Sequence, residues 1–314
     1  MPFAAGDLAA VTGAVVLAAA GGEAFLKAIL SAAKQLRVPS AVAATTLAAF
    51  ATSSPELTVS TVAALSGHPE IGLGDALGSN VVNIALIFGL ALLFGPICSS
   101  RDEFGRDYLL ALAVPLATAL TVLDGSIERW EGFMLLAVFA GWIGWVLRTT
   151  LRRRDMATSA TVSPGLGAWA TLALGGAGLA ALVAAGRLFV LGATGIATSF
   201  AIDAYVIGVL VVAVGTSLPE LVTVLLARLR GHEEVGVGTL IGSNLFNGLA
   251  IVGTAASIHP IAVPAREAVV TLVWGLAALL LLLPNRVGLI ARGRGVVLLA
   301  LYGGFVWTSL GAAS

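Results

Sequence analysis

The chain has 314 residues, 58% of them hydrophobic and only 11% charged, against roughly a quarter charged in ordinary soluble domains. Its 17 basic and 17 acidic residues cancel, Cys98 stands alone, and no basic cluster carries interleaved aromatics. A soluble globular protein, an internal disulfide, a cysteine-built metal site and a nucleic-acid partner are thereby excluded.

In chain order, apolar runs near the ~20 residues needed to cross a hydrocarbon core of ~30 Å recur from Leu8 to Leu310. They predict ten spans, at 8–30, 40–66, 71–94, 108–123, 130–147, 166–194, 204–227, 235–258, 267–284 and 295–312. The first is too long, and its flanks too uncharged, for a cleavable signal peptide. The second is interrupted by ATSSPEL (51–57) and the seventh by GTSLPEL (215–221), each a proline and a glutamate inside an apolar run. The third holds GDALGSNVVN and the eighth GTLIGSNLFN. A basic segment, RTTLRRR (148–154), follows the fifth. If the spans alternate, all of the 17 Lys and Arg residues except Arg129, Arg187 and Arg266 fall on one side. The positive-inside rule makes that side cytoplasmic and places both termini outside.

A shift of 164 residues superimposes the halves without a gap: Thr52, Ser53, Pro55, Glu56 and Leu57 fall on Thr216, Ser217, Pro219, Glu220 and Leu221. Between 50 and 83, 16 of 34 positions are identical to their counterparts. The fold expected is an all-α membrane protein, its ten transmembrane helices forming two five-helix repeats. An odd number of spans inserts the second copy upside down, the inverted-repeat arrangement of secondary transporters. The first repeat covers 1–147 with its motif at 49–83, a cytoplasmic linker covers 148–165, and the second repeat covers 166–314 with its motif at 213–247.

Glu56 lies ten residues before Ser66, so at 1.5 Å per residue it is ~15 Å into the span, near the midplane. Pro55 and Pro219 have no amide hydrogen and free the carbonyls of Ala51 and Gly215. Bare backbone beside a carboxylate is tolerated at that depth only inside protein or along a wet cavity. A simpler reading also fits: Ser53-x-x-Glu56 and Ser217-x-x-Glu220 have capping-box spacing, with proline at a first helical position. A cap alone does not need a carboxylate at bilayer depth, so a functional role is favoured. Ser79 and Asn83, like Ser243 and Asn247, are four residues apart and share a helix face. Gly74, Gly78, Gly238 and Gly242 supply small-xxx-small packing positions, and the asparagines can also tie helices together. The centre so assembled offers carboxylate, hydroxyl, amide and carbonyl oxygens with no sulfur or imidazole, a set suited to hard cations, calcium among them.

These motifs resemble the two alpha-repeats of the calcium/cation antiporter superfamily, most closely its sodium/calcium exchanger branch. The resemblance implies that Glu56 and Glu220 are the central ion-binding acids. It implies as co-ligands Thr52, Ser53, Thr216, Ser217, Ser79, Ser243, Asn83 and the Ala49 and Ala213 carbonyls. Asn247, counterpart of Asn83, stands where several prokaryotic and potassium-dependent relatives have aspartate. The implied activity is extrusion of calcium in exchange for sodium by alternating access, with calcium and sodium as transported ions and no cofactor. The short linker leaves no room for a large regulatory region and favours a prokaryotic-type protein of the cytoplasmic membrane. A proton/calcium antiporter and, from a different class, a cation channel are the alternatives; an intramembrane hydrolase is remote.

Among the remaining polar residues, Asp75 is read either as lining the outer access path or as a surface carboxylate at a helix start; its counterpart is Thr239. Glu23 and Lys27 are spaced for a simple ion pair, and His68 and His232 fall in turns. HEEVG at 232–236 lacks the second histidine of a zinc-protease helix, and no nucleophile and base come together on any span.

Overall fold

The computed structural model describes residues 5–67, 69–98, 101–122, 124–156, 166–199, 213–263, 265–285 and 288–311. The first repeat opens with α1 (Ala5–Leu36) and α2 (Ser40–Thr52) and continues through α3 (Ser54–Leu65), α4 (residues 69–93), α5 (Arg101–Val122) and α6 (Arg129–Met156). The second runs through α7 (Ala168–Ser199), α8 (Ala213–Thr216), α9 (Leu218–Leu229), α10 (Glu233–Ile258), α11 (Ala265–Leu281) and α12 (Gly293–Gly311). Five of these helices are long and apolar enough to cross a membrane, α1, α4, α6, α7 and α10, and shorter apolar helices accompany them.

The 164-residue offset of the sequence is also the offset of the structure. The first residues of α3, α5 and α6 map in this way onto those of α9, α11 and α12. The proline breaks come at Ser53 (φ −85°, ψ 7°) and Ser217 (φ −84°, ψ 11°), nearly the same sparsely allowed conformation in both. Both interrupted helices then end on a glycine in the left-handed region, Gly67 (φ 82°) and Gly231 (φ 75°), where a side chain would be strained.

Two short antiparallel pairings outside the helices obey the same relation. Strand β1 (Ile97–Cys98) pairs with β4 (Leu289–Ile290), and β2 (Ser126–Ile127) pairs with β3 (Ile261–Ala262), so each repeat contributes to both. These strands were not foreseen from the apolar pattern. Nor were the π-helical turns at 82–88 in α4 and 246–251 in α10, which place Asn83 and Asn247 on a widened turn.

Helices α4 and α10 form the centre: the apolar window of α10 is buried along its whole length, and that of α4 over 72%. Ile84, Phe88, Leu240, Leu245, Leu249 and Ile251 are fully buried there. Phe246 stands edge-on to both Phe50 and Phe139, with ring centroids 5.3 Å apart in each case. By contrast α1 and α7 pack chiefly on each other and leave most of their surface to lipid. Their crossing is close because Gly21 faces Ala181 and Gly178 faces the backbone of Phe25.

Several boundaries differ from the expected spans. Helix α6 continues through 148–156, the first part of the expected linker, because its Leu and Arg residues carry helical propensity beyond the apolar stretch. Positions 157–165 of the linker, 204–212 of the seventh span, and His68 lie outside the described residues. The expected role of small residues is seen for Gly238 and Gly242, which lie against Ala41, Thr45 and Ala49 of α2. The positions equivalent to Ala41 and Thr45, 205 and 209, are outside the described residues.

A methyl group on Gly242 would collide with the Thr45 carbonyl oxygen, a backbone atom that cannot swing aside. Gly242→Ala is therefore expected to destabilise the protein by ~1–3 kcal/mol through overpacking. Gly141→Ala, which meets nothing within 4 Å among the described residues, is expected to be neutral. Thermal unfolding of the detergent-purified proteins checks the contrast, and equal melting points would refute the packing argument.

Candidate functional site

Each Pro-Glu motif ends one helix and starts another, so Glu56 sits in the first turn of α3 and Glu220 in the first turn of α9. The positive end of a helix dipole stabilises a carboxylate at that position. Ser53 and Ser217 occupy the N-cap positions, but neither hydroxyl caps its helix. The capping reading is corrected on this point. Ser53 Oγ instead donates to Glu220 Oε1 across the repeats at 3.1 Å, and Ser243 Oγ approaches the same oxygen at 3.4 Å.

That bridge brings the two motifs together. Ala49, Thr52, Ser53, Glu56, Ser79, Asn83, Ser217, Glu220, Ser243 and Asn247 are all at most 1% exposed. Thr216 is half-buried, and Ala213 opens the described part of α8. The Thr52 hydroxyl back-bonds to the Ala48 and Ala49 carbonyls at 3.0 and 3.4 Å. The Ala49 oxygen also accepts the Ser53 amide at 3.0 Å. The expectation that Ala51 keeps a bare carbonyl is corrected, because an amide of the capping turn closes onto it. A 3₁₀-type bond replaces the one that Pro55 removes.

Several buried polar atoms have no partner among the described residues: Glu56 Oε2, Glu220 Oε2, Ser79 Oγ, Ser217 Oγ, Asn83 Oδ1 and both amide atoms of Asn247. Buried polar groups are nearly always satisfied, and a concentration of oxygens that are not marks a place where a ligand belongs. No basic side chain pairs with either glutamate among the described residues, whereas Glu23, Glu233 and Glu234 each face a basic partner. Glu56 also feels the like charges of Glu220 and Asp75. Two buried carboxylates in that setting call for compensation by a positive charge.

The remaining polar positions resolve individually. Asp75 lies in the second turn of α4, with Oδ2 buried and without a partner among the described residues; it is not a surface carboxylate at a helix start. Its counterpart Thr239 is turned onto the Val235 carbonyl at 2.8 Å. Glu23 holds Lys27 at 3.2 Å as expected, and Arg230 joins them at 2.9 Å. His232 begins α10 and faces Glu234 at 3.7 Å.

Three residues escaped the sequence reading. Thr223, one turn after Glu220, carries a buried hydroxyl without a partner among the described residues. Asn80 and Asn244 exchange reciprocal bonds, each side-chain amide donating to the other's backbone carbonyl at 3.4 Å. Asn244 Oδ1 also accepts from Asn83 Nδ2 at 3.2 Å. The signal for the asparagines was present, since both stand in the repeated G-S-N at the same offset.

An all-oxygen, doubly acidic centre built by two inverted repeats of apolar helices defines a multi-pass membrane transporter of cations. The family model described as "Sodium/calcium exchanger protein" matches the chain twice, over residues 7–148 and 169–311. The chain belongs to the sodium/calcium exchanger family, and its activity is of the cation-antiport class. It is 33% identical over 293 residues to the putative antiporter CaxA of Alkalimonas amylolytica, covering 90% of this chain and 91% of that one. It is 27% identical to the sodium/calcium exchanger MaX1 of Methanosarcina acetivorans, covering 91% and 93%. A solved structure of the sodium-calcium exchanger NCX_Mj, soaked with sodium and calcium, superimposes with a TM-score of 0.80 at 28% identity, covering 94% of this chain and 96% of that one.

Proposed function

We propose that the chain exchanges calcium for sodium by alternating access and extrudes calcium from the cell. Glu56 and Glu220 bind the ions, with Thr52, Ser53, Thr216, Ser217, Ser79, Ser243, Asn83, Asn247 and the Ala49 and Ala213 carbonyls as co-ligands. The observation that carries this reading is the hydrogen bond from Ser53 of one repeat to Glu220 of the other, which makes one site out of two motifs. In this reading the two repeats span 1–147 and 166–314, joined by the 148–165 linker, and both termini are outside the cytoplasm.

Only Glu56 and Glu220 among the proposed ligands are ionisable, so one calcium ion neutralises the centre. More than two sodium ions on the same ligands would carry net positive charge, and exchange would then be electrogenic. A membrane potential supplies ~2.3 kcal/mol per net charge per 100 mV. Labelled-calcium uptake into proteoliposomes under a sodium gradient, a proton gradient or no gradient tests the coupling. Uptake driven by the sodium gradient and sensitive to a clamped potential is expected. Uptake driven only by protons would establish the proton/calcium alternative, and gradient-independent conduction would establish a channel.

Glu56→Gln and Glu220→Gln are each expected to abolish calcium flux without lowering the yield of folded protein, because each halves the balancing charge while keeping shape. Near-normal flux in either variant refutes the assignment of that acid. For orientation, Thr150→Cys in a Cys98→Ser background is expected to resist an impermeant maleimide added to intact cells and to react after permeabilisation. Labelling from outside would reverse the topology.

A further inference from the structure

We propose that Asn244 and Asn80 are positioning residues that decide which way the side-chain amides of Asn83 and Asn247 present their oxygens to a transported cation. The proposal rests on the exchange reading above and concerns residues outside its ligand set. A carboxamide has an oxygen that can ligate a cation and an NH₂ group that cannot. Its orientation is set by whatever accepts from the NH₂ group.

For Asn83 that acceptor is Asn244 Oδ1, at 3.2 Å. The bond leaves Asn83 Oδ1 as the outward atom, buried and without a partner among the described residues. Asn244 is itself oriented, because its own NH₂ group is committed to the Asn80 carbonyl at 3.4 Å. The mirror bond, Asn80 to the Asn244 carbonyl at 3.4 Å, orients Asn80 in the same way. The two residues thus form a reciprocal clasp between α4 and α10, with one amide oxygen left over on each. Asn244 spends its oxygen on Asn83, while Asn80 Oδ1 is buried and has no partner among the described residues.

The repeat relation supplies what is missing. The counterpart of the Asn83–Asn244 bond is a bond from Asn247 Nδ2 to Asn80 Oδ1, and both of those atoms are buried without partners among the described residues. The serine contacts are lopsided in the same sense. Ser53 and Ser243 donate to Glu220, whereas Ser217 Oγ and Ser79 Oγ, the donors of the mirrored contacts, have no partner among the described residues. In an alternating-access cycle whose inverted repeats exchange conformations, a contact made by one repeat in one state is made by the other in the opposite state. Asn80 then does for Asn247 in the opposite-facing state what Asn244 does for Asn83 in this one. A small cavity lined by Leu77, Ala111, Pro115 and Leu272 borders both clasp residues.

Two double-mutant cycles on the full-length reconstituted protein test this: Asn83→Ala with Asn244→Ala, and Asn247→Ala with Asn80→Ala. KM and kcat for sodium-driven calcium uptake are read alongside the melting temperature. Each single variant is expected to raise KM about tenfold, the scale of one buried hydrogen bond, and each double variant to be no worse than its worse single. Rises that multiply within the Asn83 and Asn244 cycle overturn the proposal, and so does a lowered melting temperature with KM unchanged. Rises that multiply in the other cycle overturn the role of Asn80. Asn244→Ser and Asn80→Ser replace any alanine variant that does not fold. Calcium titration of the same detergent-purified variants separates this inference from the reading beneath it. Wild type that binds calcium but shows no sodium-driven uptake refutes exchange, whereas multiplying losses of calcium affinity refute positioning by the clasp.

Discussion

Two carboxylates buried in the middle of a membrane protein, with no basic side chain against either among the described residues, constrain everything around them. Each ionised group would cost several kcal/mol if left bare in so apolar a setting. A resident lysine or arginine would meet that cost permanently, and the centre could then hold nothing else. The chain supports its acids with partial charges instead. It breaks a helix beside each glutamate, so that the positive end of the following helix points at the carboxylate. It then surrounds the pair with hydroxyls and amides that orient without neutralising. The proline, the serine and the glutamate of each motif are parts of this one solution. In the proposed reading a transported cation completes the charge balance, and a site balanced only by its cargo is able to release it.

The remainder of the architecture keeps that centre buried and close. Gly238 and Gly242 let α10 approach α2 to backbone contact, which draws the break at Ser53 towards the second repeat. The π turns in α4 and α10 carry Asn83 and Asn247 on wide turns beside it. Within this frame the two halves are not equal. Glu220 holds two serine hydroxyls, whereas the equivalent hydroxyls of Ser217 and Ser79 have no partner among the described residues, and Asp75 adds a third acid on one side only. Close similarity of sequence thus coexists with unequal hydrogen bonding.

Much of this was legible before any coordinates. The apolar period located the helices, and the proline residues located the breaks, because both follow from local chemistry. The repeat made it foreseeable that Glu56 and Glu220 meet. What escaped depended on contacts between segments far apart in the chain. Ser53 could be foreseen both as a local cap and as a co-ligand, but spacing alone cannot show that its hydroxyl donates to a carboxylate from the other repeat. Asn80 and Asn244 were passed over because each, taken singly, is an ordinary polar residue on a helix; their meaning appears only when the helices cross. The helical extension of α6 through 148–156 was missed because the apolar window ends before the helical propensity does.

The reciprocal bonds of Asn80 with Asn244, and of β1 and β2 with β4 and β3, have a consequence for ancestry. Contacts that occur twice with partners exchanged are the signature of an isologous interface between identical subunits. A chain of half this length would carry both members of each such pair. Two copies of it, threaded through a bilayer in opposite senses, would find in one another the same asparagine clasp and the same strand partners. Fusion of the copies had no new interface to invent. It allowed each half to mutate alone, and Asp75 facing a counterpart that is Thr239 is one trace of that freedom.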